Sequence, residues 1–134
     1  MIGLDTNVLL RLGDEKEPAQ RARAVALVAS QGPSGCFVDT IVLCEYVWSL
    51  RTGFKMERGA IADRLEAICA TSEILLSRFR EVQLALAKFR AGPADFSDYL
   101  IAEINSAEGC SSTATFDGDA LKSGAPFSPV PTLS

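Results

Sequence analysis

Short apolar runs that stop at a small polar residue alternate, along this chain, with longer stretches in which apolar positions recur at helical spacing. The first run, Ile2-Gly3-Leu4, reaches Asp5, and Val8-Leu9-Leu10 then starts a helix. A polar loop leads to Pro18, which suits the first position of a helix over residues 19–30. Residues 31–35, Gln-Gly-Pro-Ser-Gly, end that helix. Cys36, Phe37 and Val38 form a short apolar strand, and Asp39-Thr40 offers a cap for the helix that follows. Residues 41–50 are apolar apart from Glu45 and Ser49, which predicts a buried helix closed by Arg51-Thr52-Gly53. Ile61, Leu65 and Ile68 fix a helix over 56–70, and residues 74–76 read as a strand. Val82, Leu86 and Phe89 mark a helix over 79–90 that Ala91-Gly92-Pro93 breaks. A further helix covers 95–107, with Gly109 past its end. Residues 111–116 alternate as a strand leading to Asp117, 119–122 hold one helical turn, and 127–130 form an edge strand beside prolines.

Strands alternating with helices predict an α/β fold, a short parallel sheet between helical layers, in a single domain over 1–134. A strand that opens such a chain is expected at the centre of the sheet. Asp5 and Asp117 each end a strand, and parallel strands end at one edge, so both are expected at a common cleft.

Composition narrows the chemistry. At 134 residues, 48% apolar and 22% charged, the chain has the profile of a globular domain. It has no apolar run near the ~20 residues that span a bilayer and no secretory leader, so a cytoplasmic protein without membrane attachment is expected. Cys36, Cys44, Cys69 and Cys110 include no C-x-x-C pair and read as reduced, mostly buried thiols. There is no histidine, which removes the commonest general base and most zinc and copper chemistry. Catalysis must then rest on carboxylates, and a metal must be a hard ion with oxygen ligands. The net charge of −4 argues against nucleic acid only at first sight, because four carboxylates gathered around cations would leave the remainder neutral.

Four acids stand out. Asp5 ends the first strand, with Thr6 and Asn7 beside it; a helix cap is the competing reading. Glu45 is the one charge in residues 41–50, and a buried carboxylate without a partner costs several kcal/mol. The competing readings are a solvent-facing stripe or an arginine partner. Asp98 follows Asp95, which suits an N-cap, and shares a helix face with the small Ala102. Asp117 ends the fourth strand, and Thr115, two residues earlier, lies on its side of that strand. Asn7 and Thr115 can orient a carboxylate or a water. Four clustered carboxylates stay ionised only around cations, and Mg²⁺ or Mn²⁺ so held is the kit for phosphodiester hydrolysis.

Leu4-Asp5-Thr6-Asn7-Val8-Leu9, the stretch from Val42 through Glu45 to Leu50, Asp95-Phe96-Ser97-Asp98-Tyr99-Leu100-Ile101-Ala102 and Thr115-Phe116-Asp117 together resemble the PIN-domain ribonucleases, more narrowly the VapC toxins of type II toxin–antitoxin pairs. The resemblance implies a three-layer α/β/α sandwich and a Mg²⁺- or Mn²⁺-dependent endoribonuclease. It places Asp5, Glu45, Asp98 and Asp117 as catalytic, metal-holding acids, with Asn7, Thr115 and Asp95 auxiliary. It further implies a homodimer, a VapB-like antitoxin and a structured RNA substrate such as tRNA or rRNA. Where such chains often read Asp-Phe after the last acidic strand, this one has Asp119-Ala120.

A haloacid-dehalogenase-like phosphatase also begins with a strand ending in Asp, but Asn7 stands where its general acid belongs. A catalytically inert PIN scaffold that binds RNA or a protein is the other alternative. For the substrate path, Arg11 is the basic residue nearest Asp5, followed by Lys16, Arg21 and Arg23, and is the candidate for an RNA phosphate contact.

Overall fold

The computed structural model describes residues 1–133. They form two compact units, Met1–Phe79 and a second that begins at Arg80.

The first unit holds β1 (Ile2–Gly3), α1 (Thr6–Arg11), α2 (Pro18–Gln31), β2 (Cys36–Val38), α3 (Thr40–Thr52), α4 (Arg58–Cys69) and β3 (Ile74–Leu76). Its three strands are parallel in the order β1-β2-β3. Ile2 pairs with Cys36 and Cys36 with Ile74. The first strand is therefore an edge of this sheet and not its centre. β2 takes the centre because its two outer residues, Cys36 and Val38, are both completely buried. Gly35 is required just before it: a Cβ there would meet the Gln31 carbonyl oxygen at 2.3 Å. Leu9, Leu43, Leu50, Ile61 and Leu65 are buried core residues of the helices. α4 starts two residues later than the apolar spacing predicts, since Lys55 takes a left-handed φ of 56° and Glu57 is extended.

The second unit holds α5 (Phe79–Ala91, which opens on the last residue of the first unit), α6 (Phe96–Ala107), β4 (Thr113–Thr115), α7 (Gly118–Lys122) and β5 (Phe127–Pro129). β4 and β5 pair in parallel as a separate two-stranded sheet. The strands before Asp5 and Asp117 thus lie in different sheets, and a shared sheet edge does not bring these acids together. Gly109, with φ of 98°, follows α6 as a left-handed residue that a side chain would strain. Phe89 and Phe96 meet edge to face with centroids 6.0 Å apart. The Tyr99 hydroxyl accepts from the Ala94 N–H at 3.2 Å and lies 2.8 Å from Ser123 Oγ. Ala120 is fully buried in the turn of α7. Lys88 pairs with Glu103, an acid of which only 9% is exposed.

Among the described residues no helix is long and apolar enough to cross a membrane. All four cysteines are free thiols. Cys36 is buried, Cys44 and Cys69 are half-buried, and Cys110, the one outside an apolar run, is exposed. Burial pushes the thiols of Cys36, Cys44 and Cys69 above their ordinary range.

Candidate active site

In the first unit the site is built at the junction of β1 and α1. Asp5 leaves the strand with extended backbone and caps α1: its Oδ1 accepts the Val8 N–H at 3.0 Å. The cap uses one carboxylate oxygen and fixes the other relative to the helix. Both readings of Asp5, cap and functional acid, are therefore compatible in one geometry. The next residue, Thr6, donates its hydroxyl to Glu45 Oε1 at 3.2 Å. This bond ties α1 to α3 at the level of the two acids. Asp5 and Glu45 are both exposed.

The exposure of Glu45 corrects the expectation of a buried carboxylate. α3 buries Leu43, Tyr46, Val47 and Leu50, and leaves Ile41 71% and Trp48 62% exposed. Residues 41, 45 and 48 share one face of a helix, and here that face is the outer one. Apolar residues on it hid the stripe in the sequence. Of the two short polar residues beside Asp5, Thr6 is the one that holds Glu45. Its signal was available, since a Thr one residue after a strand-end Asp is the first residue of the capped helix. Asn7 is exposed and lines a cavity between α1 and α2.

In the second unit, Asp117 follows β4 and caps α7, its Oδ2 accepting the Ala120 N–H at 2.8 Å. Thr115 does not orient that carboxylate. Its Oγ1 instead accepts the Asp117 backbone N–H at 3.0 Å, fixing the main chain where the acid emerges. Asp98 stands half-buried in the first turn of α6, and Ala102, one turn on, is buried as the shared face requires. Asp95 occupies the N-cap position of α6 without a capping side-chain bond. Asp119 is exposed in the first turn of α7.

The donor chemistry suits a hard divalent cation. Every candidate ligand is oxygen, and within neither unit do three or more His, Cys, Asp or Glu side chains of the described residues gather closely enough to enclose a metal. Mg²⁺ is commonly bound through one or two carboxylates with waters and substrate phosphates making up the remainder, and in this unit Asp5 and Glu45 are the carboxylates that could supply them. A family model described as PIN domain matches residues 2–124. The chain belongs to the PIN domain family. The match runs through both units and takes in all four acids. PIN domains are in general metal-dependent nucleases, and their fold is the α/β/α class predicted from the alternation of strands and helices. Membership replaces the phosphatase alternative. No curated protein matches the chain.

Proposed function

We propose that this PIN-domain protein is a Mg²⁺- or Mn²⁺-dependent endoribonuclease of the VapC type, the toxin of a toxin–antitoxin pair. The observation that carries the reading is the capped Asp5 beside the Thr6–Glu45 hydrogen bond, in a chain that matches the family over residues 2–124. Asp5, Glu45, Asp98 and Asp117 supply the carboxylates for the ion. A bound divalent ion supplies Lewis-acid activation of a water and stabilisation of the leaving oxygen. The protein's own part is positional. The Val8 N–H fixes the Asp5 carboxylate, the Thr6 hydroxyl fixes that of Glu45, and Thr115 fixes the main chain of Asp117. The substrate is RNA such as tRNA or rRNA, Arg11 makes a phosphate contact, and a single domain assembles as a homodimer that a VapB-like antitoxin neutralises in the cytoplasm.

The test is cleavage of total RNA with end mapping. Chelator should abolish cutting, and Mg²⁺ or Mn²⁺ should restore it at defined sites. Full activity in excess chelator would rule out the mechanism.

A further inference from the structure

α1 and α2 face each other across a cavity of about 390 Å³. Asn7, Val8 and Arg11 line it from α1, and Arg23, Ala24 and Leu27 from α2. The volume falls in the range of sites that take small organic groups. Its floor is apolar, and its charged lining is guanidinium with no carboxylate among the lining residues. Arg11 is held in place: Gln20 Oε1 accepts from its Nε at 2.6 Å, and Asp14 Oδ2 lies 3.3 Å from Nη1. Arg23 is exposed and makes no hydrogen bond or ion pair among the described residues. Leu27 keeps 37% of its surface exposed, facing this cavity in place of the core. Asn7 joins the cavity to the candidate site, two residues from Asp5.

We propose that this cavity binds one unpaired nucleotide of the RNA substrate, its base against Val8, Ala24 and Leu27 and its phosphate on Arg11 and Arg23. This rests on the ribonuclease reading and adds to it the position of a nucleotide beside the cleaved bond. A fixed guanidinium and a second, unengaged one match a phosphate in charge and geometry. The apolar floor accepts the face of any base, but a base held in a duplex cannot enter. The subsite therefore selects single-stranded segments over helices.

Arg11 is unsuitable as the first variant, because removing it strips the buried Asp14 of its partner. Arg23→Ala and Leu27→Trp change exposed positions on α2. Binding of a fluorescein-labelled single-stranded RNA of mixed sequence is measured by anisotropy in chelator, so that the RNA is not cut. Arg23→Ala should weaken binding roughly tenfold, the worth of one charge-assisted hydrogen bond. It should also lower the log–log salt slope by about 0.7, one phosphate contact on a single strand. Leu27→Trp fills the cavity and should weaken binding without changing the slope. Asp5→Asn should bind RNA as the wild type does while failing to cut it. If the wild type cuts RNA with metal but both α2 variants bind as tightly as it does, the subsite is wrong and the nuclease reading stands. RNA binding that is unaffected while Leu27→Trp releases a co-purifying protein would assign the cavity to a protein partner and overturn the proposal. A wild type that neither binds nor cuts RNA overturns both.

Discussion

Asp5 and Asp39 present the same local geometry with different surroundings, and this allows the structural and the proposed chemical roles of Asp5 to be separated. Both leave a strand with extended backbone, at φ −88° and ψ 175° for Asp5 and φ −83° and ψ 171° for Asp39. Each accepts the N–H three residues on, Val8 at 3.0 Å and Val42 at 2.8 Å. Replacing either by Ala removes a helix cap, which costs about 1 kcal/mol. For a chain of this size that is a drop of roughly 4 °C in the melting midpoint. Asn caps as well as Asp, but it gives up the interaction of a carboxylate with the helix N-terminus, worth about 0.5 kcal/mol. If Glu45, which Thr6 holds at the same junction, repels the Asp5 carboxylate, relief of that repulsion offsets the loss. Asp5→Asn should therefore melt within about 1 °C of the wild type in chelator. Its cleavage with Mg²⁺ or Mn²⁺ should fall by at least about two orders of magnitude, since a lost ligand forfeits a few kcal/mol of transition-state stabilisation. Asp39→Asn and Asp39→Ala should keep cleavage at temperatures where they are folded. Circular dichroism melts and gel-resolved RNA cleavage measure the two quantities. Retention of cleavage by Asp5→Asn would refute the role of Asp5. A stability loss for Asp39→Ala without one for Asp5→Ala would refute the cap.

In the second unit, Lys88→Met leaves the Glu103 carboxylate buried without its partner. Because the Lys88 side chain is 44% exposed, solvent screens the pair and the loss should be about 1 kcal/mol, below the 3–5 kcal/mol of fully buried pairs. Lys88→Met combined with Glu103→Met should recover it in urea unfolding, and failure to do so would show that the acid serves packing alone. The raised thiols of Cys36, Cys44 and Cys69 are protonated in the folded chain beyond the pH at which they ionise when unfolded. Their contribution is complete below their ordinary value of 9.0 and is lost as pH rises through their higher folded values. Unfolding free energy should fall above about pH 9, and a flat profile to pH 11 would contradict the burial. At neutral pH one thiol, that of Cys110, should react fast with a disulfide reagent in native protein, with the others released only by denaturant.

The local elements were legible wherever punctuation residues bound them. β2 runs from Cys36 to Val38 as expected because Gly35 and Asp39 close it on both sides. Gly109 ended α6 for the reason its left-handed φ now makes visible. Strand order was not legible, since it is set by pairings between residues far apart, and so the opening strand was expected in the centre. The apolar run of α3 gave no sign of which face turns outward: Ile41 and Trp48 are as apolar as Leu43 and Leu50 but point the other way. The places of the four acids at strand ends and on helices were legible, Asp5 and Asp117 as helix caps and Asp98 in the first turn of α6. Which hydrogen bond serves each of them was not, because Thr6 meets Glu45 only after α1 and α3 have packed.

That long-range packing has a consequence for how the protein is made. β1 contributes two residues and α1 six, too few for either to persist alone in water. Ile2 finds its partner only at Cys36, and Thr6 reaches Glu45 only when α3 has been synthesised and docked. A chain emerging from the ribosome therefore displays the motif of Asp5 long before it holds Asp5 and Glu45 together. The α1–α3 junction therefore forms only with the fold of this unit, and an incomplete or unfolded chain carries these residues without the arrangement that the proposed activity needs.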